Sequence, residues 1–397
     1  MLKYPVEARA CGAMHEGFGH MAFGNVADKA GFGAGEGSKS SDRDALMRSL
    51  ADLALLPPSL VSPQERGLLD AMLAPIISRF DDATRRRLVE RLVKQVDGPR
   101  DLAMALALEP IEIAKPLLVE GDTLKAGDLV SIIRNGTFEH RLAIADRRGL
   151  ESNVADTLIE FASPEISSRL LANRTAILSL QGIEALTRQS AGEPQYQALL
   201  LARPEMSVRL AHLMFWWSSS PVRMDILRRF TAERRVSHKA LADLLHAGLE
   251  AAQGDEQLRL VLSLVGEPQA IAKPRFLRLI NLAEGGQIEE FMADLAAAAY
   301  IRIETLRRII ADPHGEPLSV LAKALGLNRR EFGELIVVVV QMREASLPTK
   351  QDLERMTAVF DEISTDRADM ALHGWDVAFA TEDVLLPIDH DDYSAAL

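Results

Sequence analysis

Only one cysteine, Cys11, occurs in the 397 residues. A lone thiol cannot close an intramolecular disulfide, which excludes a cystine-stapled scaffold and fits a reducing compartment. Aromatic residues are scarce at 5%, while alanine and leucine dominate, as in helix-on-helix packing. No run alternates apolar and polar residues and no hairpin turn signal occurs, which excludes a β architecture. Long apolar runs are missing too. The densest stretch, Leu335 to Val340, is far too short to span a bilayer. The N-terminus has no apolar segment after Lys3, so no secretory signal is expected, and the chain reads as soluble and cytoplasmic.

Positive charge is also in deficit. Lys and Arg number 45 against 57 Asp and Glu, a net charge of −12. Such a field repels polyanions, which weighs against general nucleic-acid or anionic-membrane binding. Enzyme signatures are absent: there is no Gly-x-Ser-x-Gly elbow and no His-Glu-x-x-His. The stretch Gly35–Ser40 approaches a phosphate loop, but Lys39 does not directly follow a glycine and no strand precedes it. Cys11, His15 and His20 lack a fourth metal ligand. His140, His212 and His246 read as ordinary helix residues. No catalytic set, metal or cofactor is expected.

What the chain does contain is a phrase that recurs four times: Pro110–Leu117, Gly136–Ala143, Pro164–Leu171 and Pro204–Ala211. Each opens on a helix breaker and places a cation five residues later, at Lys115, Arg141, Arg169 and Arg209. The cations are spaced by 26, 28 and 40 residues, the range of helical hairpins and of a HEAT unit. Repeats of this size bury an apolar face by stacking on their neighbours. The expected fold is therefore all-α, a HEAT-like α-solenoid of irregular helical hairpins. The repeated cations are expected to pair with carboxylates of neighbouring units.

Breakers and caps divide the chain. Residues 1–41, with eight glycines between Gly12 and Gly37, read as a disordered tail. Residues 42–253 read as the repeat domain, 254–345 as a C-terminal helical unit, and 346–397 as a terminal helix and acidic tail ending in Asp389, His390, Asp391 and Asp392. A division near Gly254 or near Gly285-Gly286 is an alternative to one continuous solenoid. Within the repeat domain, Asp44–Leu56 is an expected helix, Pro75 an expected kink, and Ala83–Val96 a helix broken at Gly98-Pro99.

Several segments within this frame, Ile113–Leu118, His140–Ala145, Val154–Leu158, Leu170–Asn173 and above all Met214–Trp217, carry a family resemblance. The stretch Ile111–Arg235 resembles the bacterial family called domain of unknown function 2336, found chiefly in alphaproteobacteria, and the likeness extends from about residue 45 to about residue 345. The resemblance implies a helical-repeat architecture and carries no catalytic residues.

Two constellations suggest binding. Trp216 and Trp217 are adjacent and so point about 100° apart on a helix, which leaves one of them for an interface. The next segment carries Arg223, Arg228, Arg229, Arg234 and Arg235, with Lys239 beyond. Arg228 and Arg235 fall on one exposed face, Arg223 and Arg234 on the other flank. Trp216 or Trp217 as anchor, with Arg209, Arg228 and Arg235 as charged contacts, is the partner-binding set expected of a non-catalytic scaffold or adaptor. The alternative is a nucleic-acid-binding or transcription-linked regulator. Residues Leu318–Leu335 have helix-turn-helix spacing, with Gly326 at the turn, Ala322 and Phe332 in the core, and Asn328, Arg329 and Arg330 opening the second helix.

Overall fold

The computed structural model describes Ser49, Asp52 and residues 62–95, 98–161, 163–231, 270–342 and 348–380. The described residues from 62 to 380 belong to one compact unit. Every regular element among the described residues is helical. The expected helix Asp44–Leu56, the glycine-rich head, Arg234, Arg235, Lys239, His246, Gly254 and the acidic end lie outside the described residues, apart from Ser49 and Asp52.

Twelve described helices between residues 63 and 229 fall into two rows. The first row holds α1 (Pro63–Leu73), α3 (Arg100–Ala107), α5 (Ala126–Asn135), α7 (Ser152–Glu160), α9 (Leu180–Gln189) and α11 (Val208–Met214). The second holds α2 (Asp82–Leu92), α4 (Ile111–Glu120), α6 (Phe138–Ala145), α8 (Pro164–Ala172), α10 (Gln195–Leu201) and α12 (Ser220–Arg229). Each helix packs on the next member of its own row. Pro75 does not kink a helix; it sits in the 3₁₀ turn Ala74–Arg79 that follows α1.

Short polar side chains fix where these helices begin. Ser62 and Glu65 close a capping box on α1, and Ser163, Ser179 and Ser207 each accept a first-turn amide of α8, α9 and α11. Apolar residues at helical spacing then fill the space between the rows. Leu102, Leu106, Leu117, Ile132, Ile144, Leu158, Leu170 and Leu186 are all fully buried.

The second-row helices begin at residues 82, 111, 138, 164, 195 and 220, every 25–31 residues. Three of the four repeated phrases open α4, α6 and α8, but the fourth, at Pro204, leads into α11 of the other row. It is out of phase, which explains its 40-residue spacing. The unit in phase with the first three runs Asp82–Val89 on α2, with Arg87 as its cation.

Neighbouring units are tied by side chains that reach back about one unit to the carbonyls a helix leaves unpaired at its C-terminus. Thr123 donates to Gln95 O at 2.9 Å. The Arg147 guanidinium donates to Leu118 O at 3.1 Å and Gly121 O at 2.6 Å, at the end of α4. Asn173 donates to Ala145 O and Arg147 O below α6, and Arg203 to Asn173 O and Ala176 O below α8. Arg229 donates to Leu201 O below α10. Two of the repeated cations pair as expected, Arg169 with Asp146 and Arg209 with Glu184. Arg141 instead donates to Ile133 O at 2.8 Å and lies over the Phe161 ring.

The remaining helices pack differently. They are α13 (Lys273–Glu284), α14 (Ile288–Ala299), α15 (Ile303–Ala311), α16 (Glu316–Ala324), α17 (Arg329–Met342), α18 (Lys350–Glu362) and α19 (Thr365–Ala380). Buried α16 touches α15, α17, α18 and α19. Long α19 also packs on α11 and α12, joining this bundle to the last unit of the rows. Gly374 permits that approach. A Cβ there would stand 2.9 Å from His212 Nδ1 and 3.0 Å from Cε1, closer than atoms tolerate.

Candidate functional site

The Met214–Trp217 segment lies where α11 and α12 meet α19. Trp216 is only 8% exposed, and its ring meets Phe215, Trp375 and Phe379 with centroids 5.2–5.8 Å apart in edge-on or tilted geometry. Trp375 is fully buried in the same cluster. Trp217 is half-buried, and its indole N–H donates to Ser190 Oγ at 2.9 Å. The two indoles do diverge, as adjacent helical residues must, but both are engaged inside the fold.

Arg223 departs from expectation. Its neighbours on α12 suggest a flanking surface cation, yet it is 2% exposed. Its guanidinium donates to both carboxylate oxygens of Asp312, at 3.2 and 2.9 Å, and to Glu316 at 3.0 Å. It also donates to the carbonyls of Phe215, Trp216 and Ser218. Burial works against its charge, but Asp312 and Glu316 outweigh that and hold the guanidinium above its ordinary pKa. The carboxylates come from about 90 residues further along the chain, so helix periodicity within α12 could not reveal them. The spread of acceptors suits a planar five-donor fork.

His212 stands on α11 against the same helix, α19. It is 1% exposed, and its Nε2 lies 3.2 Å from Phe230 O. Burial pushes its pKa down to about 4, opposed in part by the Phe230 and Ala371 carbonyls. A neutral ring is the form this packing holds. His140 is likewise built in, with Nδ1 serving Thr137 at the start of α6 and Nε2 2.9 Å from Glu109 O.

The cations expected to meet a partner are engaged in pairs. Arg209 pairs with Glu184 and Arg228 with Glu362 of α18, while Arg235 lies outside the described residues. At the helix-turn-helix-like pair, Gly326 adopts φ +69° between α16 and α17, with Ala322 and Phe332 buried. Asn328 Oδ1 accepts the Arg330 and Glu331 amides, capping α17. Arg329 pairs with Asp361 and Arg330 with Glu334. Leu335, Val338 and Val339 are buried against the bundle, while Val337 is half-exposed. Among the described residues no three His, Cys, Asp or Glu side chains are placed to hold a metal.

A surface feature escaped the sequence reading. Ile177, Leu180 and Val208 are 61%, 65% and 53% exposed. Leu180 and Val208 are the first residues of α9 and α11, equivalent positions on helices that pack together. Ile177 sits in the loop before α9, pinned by its amide to Leu150 O at 2.9 Å. The loop is tied to the next unit by Leu178 N donating to Glu205, which Arg203 holds. The signal was there for two of the three: Leu180 and Val208 each follow a serine cap directly, outside the spacing that points residues to the core. Arg209, directly after Val208, pairs with Glu184, four residues along α9 from Leu180.

These features define the class: an all-α protein whose two rows of short helices end in a helical bundle sharing a buried ionic and aromatic junction. Residues 113–373 match the model of the family described as an uncharacterised protein conserved in bacteria, DUF2336, and the chain belongs to that family. The match begins at α4, later than the expected start, and reaches α19, beyond the expected end near 345. No curated protein and no solved structure matches the chain. No described helix is long and apolar enough to cross a membrane.

Proposed function

We propose that this chain is a non-catalytic α-helical repeat adaptor, HEAT-like in construction, that binds a protein partner through the edge formed by Ile177, Leu180 and Val208. The observation that carries the reading is the recurrence of exposed aliphatic residues at equivalent sites of neighbouring units. A leucine more than half exposed at the first position of a helix adds little to folding, whereas adjoining apolar sites rimmed by charge suit protein contact. Repeat units present such sites at regular intervals, and recognition of this kind requires no catalytic group. The interface expected at Trp217 and Arg228 gives way to this edge, because those side chains are occupied by Ser190 and Glu362. Arg209 keeps its place at the rim. A nucleic-acid reading gains nothing from Arg329 and Arg330, each of which faces a carboxylate.

The test is affinity capture by the full chain against a Leu180→Asp/Val208→Asp variant. Aspartate in the first turn complements the helix dipole, so the variant keeps its Tm. The reading expects a specific protein captured by the native chain and lost by the variant. Capture that ignores both substitutions, or recovery of nucleic acid instead, would overturn it.

A further inference from the structure

Three more apolar side chains stand open at the other end of the rows. Leu108, Phe138 and Phe161 are 45%, 39% and 41% exposed. Leu108 closes α3, Phe161 closes α7, and Phe138 is the first residue of α6. One turn of α6 links them. His140 Nε2 lies 2.9 Å from Glu109 O, beside Leu108, and the Arg141 guanidinium lies 4.7 Å from the Phe161 ring centroid. The three therefore line one edge. First-row helices end here, whereas Leu180 and Val208 mark first-row starts, so this edge is the opposite one. From α3 to α7 is two steps along the first row, about 16–20 Å at ordinary helix spacing.

Carboxylates run along the same edge. Glu112, Glu139 and Glu165 are the second residues of α4, α6 and α8, Glu160 directly precedes Phe161, and all four are exposed. Among the described residues none of the four forms an ion pair. Hydrogen bonds from Thr137 and Ser163 hold the Glu139 and Glu165 carboxyls below their ordinary pKa, so both stay charged. Of the cations nearby, Arg85 is engaged by Glu109, and Arg141 by Ile133 O and the Phe161 ring. That leaves exposed Arg134 against four carboxylates. We propose that this edge binds a basic, extended segment of a partner protein. An apolar side chain at every third residue of the segment seats at Leu108, Phe138 and Phe161, and the lysines or arginines between them meet the glutamates. Six residues of extended chain rise about 20 Å, which matches the span. Six residues of helix rise about 9 Å and fall short of it. A second copy of this chain would bring a net charge of −12 to an edge already acidic, which disfavours it as the occupant.

The test titrates the full chain into a fluorescent, capped Leu-Lys-Lys-Leu-Lys-Lys-Leu peptide and reads anisotropy. The peptide binds with a Kd of about 10 μM, and Leu-Leu-Leu-Lys-Lys-Lys-Lys, of the same composition, binds at least about tenfold more weakly. Glu112→Gln/Glu139→Gln/Glu160→Gln weakens binding at least about tenfold. Glu90→Gln/Glu120→Gln/Glu151→Gln removes as much charge at the opposite ends of the helices and leaves binding unchanged. Phe138→Ala weakens it about fivefold or more. The Leu180→Asp/Val208→Asp chain binds the peptide as tightly as the native chain, which separates this edge from the one proposed above. Equal affinity for both peptides, equal loss from both glutamate triplets, or no binding at about 1 mM would overturn the proposal. So would a dimer of the native chain that Phe138→Glu dissolves, because a second copy would then cover the edge.

Discussion

The two halves of the described fold are held together by different means. From α1 to α12, almost every tie joins residues about one unit apart: Thr123 to Gln95, Arg147 to Leu118, Arg203 to Asn173. In the bundle, and at its junction with α12, the decisive ties span long distances, as between Arg302 and Asp376, or Arg223 and Asp312. In the rows, losing one contact weakens one unit and its neighbours. In the bundle it unseats elements far apart in the chain. Near-neighbour ties make stability a sum over units, and long-range ties make it cooperative.

The sharpest way to break that contrast is at Arg223. Replacing it by methionine leaves Asp312 and Glu316 buried without their cation and is expected to cost about 3–5 kcal/mol, read as a shift in denaturant midpoint. Replacing all three by apolar residues of similar volume should recover most of the loss, because the pair's own desolvation is then avoided.

Acid provides the second test. His212 has a folded pKa of about 4, below its unfolded value of 6.5, so the unfolded chain binds the extra proton between these values. Its neutral ring therefore contributes stability that is fully present above pH 6.5 and falls by about 3 kcal/mol as pH drops toward 4. His212→Gln should flatten that part of the pH profile. An unchanged slope would mean that other groups set it.

Smaller effects are expected within the rows. Arg147→Ala strips the charged cap from the end of α4 and should cost about 1–2 kcal/mol. Arg169→Ala removes only an exposed pair with Asp146 and should cost about 0.5 kcal/mol or less. If the two were equal, carbonyl capping would not be what ties the units.

The same contrast explains what the sequence revealed. The helices of the rows were legible because their breakers, serine caps and apolar spacing are local. The phrases at Pro110, Gly136 and Pro164 mark α4, α6 and α8 directly. The fourth phrase misled because a first-row helix, α11, opens with the same chemistry. At the junction, nothing near Arg223 announces Asp312 or Glu316, and Trp216 reads as a candidate anchor until Trp375 and Phe379 are brought against it. Val337 and Val338 likewise differ in burial only because α17 has one packed side. The exposed edge could have been found from Ser179-Leu180 and Ser207-Val208, each an apolar residue placed directly after a cap.

Hydrogen exchange on the full chain compares the two regions most directly. In the Arg223→Met variant, amides of α11, α12, α15, α16 and α19 should lose protection together while those of α3 to α7 keep their native rates. Uniform loss across α3 to α19 would contradict the division between neighbour-tied rows and a long-range-tied bundle.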